Sequence, residues 1–189
     1  MRIVAGAFKG RALMTPEGRD TRPTSDRARE AMFNVLAHAA WAPDLQGARV
    51  IDLYAGSGAL GFEAMSRGAE FCLFVETAAA ARGVIRTNAE TFQLFGHTRI
   101  HRRDATDLGL KPAGVGPVFD MAFLDPPYGQ GLGPRTLAML VEGGWLAPDA
   151  LAILEVGKEE NPDLAGWTTL DERTYGAAKV LFLRQAEVS

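Results

Sequence analysis

Apolar positions along the chain fall into short runs separated by stretches of helical spacing. Val50, Ile51 and Leu53 surround Asp52 in a run too short for a helix, as in a strand buried on both faces. Ala55–Gly58 supplies only small residues, and from Leu60 the pattern turns helical through Phe62, Met65 and Arg67. Phe71–Val75 is a second buried run with Glu76 at its carboxyl end. Thr77 is placed to cap a helix through Val84, Ile85 and Asn88 to about Phe92. Further strands are expected at Arg99–His101, Phe119–Leu124 and Ala150–Val156, with a helix over Pro134–Val141 and a Gly/Pro loop over Lys111–Pro117. Trp167–Arg173 and Lys179–Arg184 alternate well enough to pair as a closing hairpin around Tyr175-Gly176. Strands alternating with helices predict an α/β protein with a doubly wound, mostly parallel sheet. Ligands in such sheets bind at the carboxyl ends of the strands, beside the reversal in strand order.

Ahead of this region lies a different pattern. Arg2–Ala5 and Gly10–Leu13 read as a small hairpin with its turn near Phe8-Lys9-Gly10, and Thr15–Pro23 reads as a loop. Thr24 or Ser25 then caps a helix through Ala28, Ala31, Met32 and Val35 to about His38, and Pro43–Gly47 leads into the first core strand. Two parts follow: an arm over 1–46 and a catalytic-type α/β domain over 47–189.

Charge sharpens that division. The whole chain of 189 residues has a formal net charge of −3, yet residues 1–30 hold seven Lys/Arg against four acids. A basic arm on an acidic body suits an arm that meets phosphates, with Arg2, Lys9, Arg11, Arg22 and Arg27 as candidate contacts. With 47% hydrophobic and 23% charged residues the composition is that of one α/β protein, and no apolar run approaches the ~20 residues of a membrane span. The N-terminus lacks the apolar core of a secretion signal, so a cytoplasmic protein with no membrane partner is expected, as a monomer. Cys72 lies in an apolar run and reads as a packed thiol. His38, His97 and His101 lack metal-ligand spacing, so no metal site is expected.

The chemistry gathers where strands end. Gly56-Ser57-Gly58-Ala59-Leu60-Gly61 matches the dinucleotide fingerprint G-x-G-x-x-G, but Asp52 argues for another ligand. Its carboxylate would repel a pyrophosphate and attract a sulfonium and an amino group, which points to S-adenosylmethionine. The loop Ala55-Gly56-Ser57-Gly58 would then cradle that cofactor, with the missing side chain of Gly58 leaving room for close approach. Glu76 is placed for the ribose hydroxyls, Asp104 for the adenine amino group, and the Ala105 N–H for the ring.

Asp125-Pro126-Pro127-Tyr128 is the second motif. Consecutive prolines hold the backbone extended and remove two N–H donors, leaving a carbonyl near Pro126 beside the Asp125 carboxylate. Two adjacent acceptors match the two hydrogens of an exocyclic NH₂ group, and Tyr128 offers a face on which a flipped-out base can stack, worth ~1–3 kcal/mol.

These residues carry a resemblance. MRIVAGAFKGRAL, RPTSDRAREAMFNVL, VIDLYAGSGALG, LDPPY and, more faintly, Tyr175-Gly176 resemble the 16S rRNA (guanine-N2)-methyltransferase family nearly end to end. The resemblance implies a seven-stranded sheet of the class I methyltransferase (Rossmann-like) type and S-adenosylmethionine as cofactor. It also implies 16S rRNA or the small ribosomal subunit as partner. By resemblance Asp52, Gly56, Gly58 and Glu76 hold the cofactor, while Asp125, Pro126, Pro127 and Tyr128 hold the guanine. The chain departs from the family after Glu76, where Ala78 stands in place of a frequent acidic residue and leaves capping to Thr77. The motifs leave three alternatives open: a nicotinamide-dependent oxidoreductase, a silent RNA-binding assembly protein, and a DNA or adenine N6 amino-methyltransferase.

Overall fold

A computed structural model describes residues 1–17 and 25–188. Seven strands form one sheet: β1 Arg49–Leu53, β2 Phe71–Val75, β3 Thr98–His101, β4 Phe119–Leu124, β5 Leu146–Gly157, β6 Trp167–Tyr175 and β7 Ala178–Gln185. Their order is β3-β2-β1-β4-β5-β7-β6, and only β7 runs antiparallel to its neighbours β5 and β6. The chain leaves β1 toward β2 on one side and returns to β4 on the other, so the strand order reverses between β1 and β4. Loops leaving these two strands part there and open a crevice at their carboxyl ends.

Helices α1 Asp26–His38, α2 Ala59–Ser66 and α3 Ala79–Thr91 cover one face, and α4 Leu132–Glu142 covers the other. The strands alternate between the two layers, as a period of two requires. Val50, Phe74, Phe123 and Ile153 join Met32, Phe33, Phe62 and Ile85 in one layer. Ile51, Leu53, Leu73, Leu124 and Leu154 join Leu137, Leu140 and Trp145 in the other. Among the described residues no helix is long and apolar enough to cross a membrane.

Several expected boundaries shift, each for a visible reason. Ser25 is the N-cap of α1, its hydroxyl accepting from the Ala28 N–H at 3.1 Å. Thr24, and most of the loop expected over Thr15–Pro23, lie outside the described residues. Thr77 does not cap α3. The N-cap is Ala78, whose N–H donates to Glu76 Oε2 at 3.1 Å, so a carboxylate serves the helix start more strongly than a hydroxyl would. Helix α4 begins at Leu132, one turn-forming residue after Gly131, and β5 begins at Leu146, which pairs with Phe119. The N-terminal hairpin shrinks to a single bridge, Arg2 to Ala12. Its next donors, the Val4 and Ala5 N–H groups, turn instead to Glu63 at 3.0 and 3.2 Å.

That detour fastens the arm to the sheet's helical layer. Ile3, Leu13, Met32, Phe33 and Leu36 are buried in the same apolar layer as Phe62 and Phe123. Arg29 is fully buried, donating to the Arg2 carbonyl and, at 3.0 Å, to Asp26, with its Nε 3.9 Å from Glu63. Glu63, buried on α2, also accepts from Arg67 at 3.1 and 3.2 Å. Glu63→Ala would strand a buried guanidinium and two peptide N–H groups together. It should lower the unfolding free energy by about 3–5 kcal/mol in urea titrations; a loss below about 1 kcal/mol would mean that water reaches Arg29.

Candidate active site

The glycine loop between β1 and α2 lies on the carboxyl edge, held by two acids. Glu76 Oε1 accepts from the Gly56 N–H at 3.0 Å while its other oxygen takes Ala78, so one carboxylate ties the loop to the start of α3. Asp52 is on the α2 face of β1 by strand alternation, and its Oδ2 accepts from the Gly61 N–H at 3.0 Å, inside the first turn of α2. The Ser57 carbonyl is held by buried Asn88 at 3.2 Å, and the same side chain pairs with both the N–H and the carbonyl of Met14. Arm and loop therefore share one clamp. Ala55 continues the β1 ladder by donating to Val75 at 3.1 Å.

The two glycines have different tasks. A Cβ at Gly58, φ +81°, would lie 2.7 Å from the Phe62 ring and 3.0 Å from Phe74. Its small size lets the loop settle on the core, which corrects the expectation that the empty space there faces a ligand. Around Gly56, φ +58°, nothing lies within 4 Å of such a Cβ. The open approach belongs to Gly56. Tyr54 just before it has φ +59°, costly for a bulky residue, and is held by a 2.7 Å hydrogen bond from its hydroxyl to Thr136 on α4.

Four acids end up on one edge. Val75, Leu53, Leu124 and Leu154 stand side by side across β2, β1, β4 and β5. One step on, Glu76 and Asp125 stand just past the ends of β2 and β4 and Glu155 near the end of β5, with Asp52 one step below Leu124's row on β1. All lie over the apolar layer containing Phe74, Phe123 and Ile153. Burial, with the neighbouring Glu76 charge, pushes Asp52 up to about 8 despite the Gly61 hydrogen bond. Burial also raises Asp125 well above the usual carboxylate range, and a hydrogen bond and charge from Glu155 and the Asp52 charge add to it.

Pro126, Pro127 and Tyr128 line a cavity of about 440 Å³, closed by Gly131–Pro134 at the start of α4, by Glu155 and Val156, and by residues 160–163. Glu160 braces the rim. Its carboxylate accepts from the Gly129 N–H at 2.8 Å and the Gly157 N–H at 2.5 Å, drawing the turn after Tyr128 onto the end of β5. Neither Glu155 nor Glu160 is among the residues expected from sequence. Glu155 had a usable signal, one acid inside the apolar run Ala150–Val156; Glu160 had none.

The remaining candidates spread out. Asp104, after β3, is exposed and accepts from the Thr106 N–H and hydroxyl at 2.8 and 2.7 Å, which hold it below the usual carboxylate range. Ala105 beside it is buried under α4's layer. Lys9 and Arg27 are exposed, whereas Arg2 is turned to the Gly10 carbonyl at 2.7 Å. Arg11 donates to Thr91 at 2.7 Å and lies 4.8 Å from the Phe92 ring centre. Arg22 lies outside the described residues. No cluster of His, Cys, Asp and Glu able to hold a metal occurs among the described residues.

Comparison with known proteins adds a consistent set of matches. Residues 1–184 match the family described as conserved hypothetical protein 95. The putative rRNA methyltransferase YlbH of Bacillus subtilis is 35% identical over 187 residues, covering 98% of this chain and 99% of that protein. Ribosomal RNA small subunit methyltransferase D of Escherichia coli K12 is 35% identical over 190 residues, covering 99% and 91%. Among solved structures, the putative methyltransferase yhhF from Escherichia coli superposes with a TM-score of 0.81 at 33% identity, covering 98% of this chain and 97% of that one.

The raised Asp52 makes a signed prediction. A carboxyl that binds its proton more tightly when folded contributes stability at low pH and loses it as pH rises from about 4 toward about 8. Asp52→Asn keeps an acceptor for Gly61 without the titration. Urea unfolding at pH 5, 6.5 and 8 should show wild-type stability falling relative to the variant; parallel curves would place Asp52 in a solvated setting.

Proposed function

The chain belongs to the family described as conserved hypothetical protein 95, and from that premise we infer an S-adenosylmethionine-dependent methyltransferase of small-subunit ribosomal RNA. Its acceptor in this reading is the exocyclic N2 of a guanine. The names of the two bacterial relatives support ribosomal RNA methylation. The observation that carries the amine reading is Asp125 at the switch point, beside the cavity lined by Pro126, Pro127 and Tyr128.

The residues present fit the cofactor. Glu76 offers negative charge, and Asp52 a carboxyl that an arriving cation would ionise, around a loop whose open side is at Gly56, which favours a cation and disfavours a pyrophosphate. When bound, S-adenosylmethionine supplies a methyl group carried on a positively charged sulfur. Asp52 and the loop Ala55–Gly58 would hold its methionine end. Glu76 keeps lone pairs for ribose hydroxyls beyond its two N–H partners, and Asp104 and Ala105 would meet the adenine.

At the acceptor side, Asp125 and the Pro126 carbonyl take one amine hydrogen each, and Tyr128 stacks on the base. That orientation aims the amine's lone pair at the methyl carbon, and positioning supplies most of the rate. The arm, wedged against α2 and the loop, brings exposed Lys9 and Arg27 to the RNA phosphates.

Two measurements test this. Labelled methyl transfer to small-subunit RNA, whole subunits and DNA, followed by nucleoside analysis, should yield N2-methylguanine from the ribosomal substrate. Asp125→Ala should cut that transfer by at least ~100-fold while cofactor affinity stays within about twofold; a product on DNA or on adenine would replace the substrate named here. Neutralising Lys9 and Arg27 should weaken RNA binding and lower the slope of log K against log salt by about one per lost contact. An unchanged slope would move RNA recognition to the rim around Tyr128.

A further inference from the structure

We propose that Glu155 is the terminal proton acceptor of this site, receiving through Asp125 the proton that the guanine amine gives up on methylation. The inference rests on the methyltransferase reading above and deepens it. Leu124 and Leu154 are partners in the parallel β4–β5 ladder, so Asp125 and Glu155 follow them as neighbours across the edge. Their carboxyls are hydrogen-bonded to one another, which requires one proton between them. Glu155 is only 7% exposed, yet it lines the same cavity as Pro126–Tyr128. It stands beside the residue that meets the amine, buried from bulk water.

The charged surroundings keep that proton in place. From β1, the neighbouring Asp52 carboxyl raises Asp125 further, and Glu76 beyond β2 raises Asp52 in turn. From β7, Lys179 pairs in register with Val156, but its ammonium donates to the Glu160 carbonyl, lies 3.4 Å from Asn161 Oδ1 and stands 4.0 Å from Glu172. The Lys179 ammonium is thus engaged on the Glu160 side. Two carboxylates this close and this dry do not both ionise.

The step balances with Asp125 entering as a neutral acid. Its hydroxyl donates to the Glu155 carboxylate, and its carbonyl oxygen accepts one amine N–H. As the N2 lone pair forms the bond to the methyl carbon, the carbon–sulfur bond of the sulfonium donor breaks and its electron pair stays on sulfur. One N2 proton passes to the Asp125 carbonyl oxygen, and the Asp125 hydroxyl proton passes to Glu155. Asp125 ends neutral as it began. The positive charge of the donor and the negative charge of Glu155 are lost together, so no charge is left in the buried edge.

The test compares wild type with Glu155→Gln in methyl transfer to small-subunit RNA from pH 5 to 9, with cofactor affinity measured alongside. Glutamine leaves no negative charge for the proton to reach, so Asp125 must itself ionise, buried beside Asp52. The acid limb of kcat should move up by about one pH unit or more, kcat at pH 6.5 should fall about 10–100-fold, and cofactor Kd should stay within about twofold. With an active wild type, an acid limb that is unmoved or lower overturns the proposal and leaves the methyltransferase reading standing. An inactive wild type overturns that reading and this one with it. Carbon-13 NMR of the wild-type carboxyls decides independently, even if the variant does not fold. The Asp125 carboxyl should keep its proton well above the usual carboxylate range, and an ordinary carboxylate titration overturns the proposal.

Discussion

Carboxyl groups crowded on a dry sheet edge are the constraint around which this protein is arranged. Parallel strands bury both faces, so the floor under Glu76, Asp52, Asp125 and Glu155 is apolar side chain, and charge there is expensive. Each acid relieves that cost in its own way. Glu76 accepts from two backbone N–H groups, Asp52 meets the start of α2, and Asp125 and Glu155 share a proton. The same hydrogen bonds that lower the cost also set the loops, so the glycine turn and the two helix starts are positioned by the acids that a ligand would meet.

The arm belongs to this arrangement more closely than its charge suggests. Glu63 and Arg29 form a buried exchange between α2 and the arm, and Asn88 fixes Met14 and Ser57 with one amide. A segment held by the helix that carries the glycine loop, and by the loop itself, cannot move without disturbing the cradle. Its core contacts explain why Ile3, Met32 and Phe33 are buried despite the basic composition of their surroundings. Lys9 and Arg27 keep their charges exposed, outside this packing.

Most of the sheet was legible in the sequence because parallel strands read as apolar runs, and FCLFV or FDMAFL leave no other choice. What escaped was pairing between distant residues. Nothing local links Asp125 to Glu155, thirty positions on; only the Leu124–Leu154 register makes them neighbours. Arg29 reads in sequence as one more basic residue of the arm, and becomes a buried anchor because Glu63 lies opposite on α2. Thr77 has the chemistry of a cap, but the helix starts one residue later, with Ala78 as its N-cap and the Ala78 N–H held by the Glu76 carboxylate. The two glycines look equivalent in the motif, and only the Phe62 and Phe74 rings beneath Gly58 separate a packing glycine from the one with an open side.

The edge divides into two halves with different electrical demands. On β1 and β2 the acids are hydrogen-bonded to backbone N–H groups and retain capacity for a fixed positive charge. On β4 and β5 they hold a mobile proton. A reaction in which a cation transfers an alkyl group to an amine needs both, since the charge brought in on one side must leave as a proton on the other. With β1 and β4 adjacent at the switch point, the two halves meet at Asp52 and Asp125, and the Asp52 charge bears directly on how tightly Asp125 keeps its proton. Positive charge arriving at the first half would favour ionised carboxylates along the edge and so loosen the proton in the second. The topology that makes the crevice therefore also couples its two halves electrostatically, with no moving part between them.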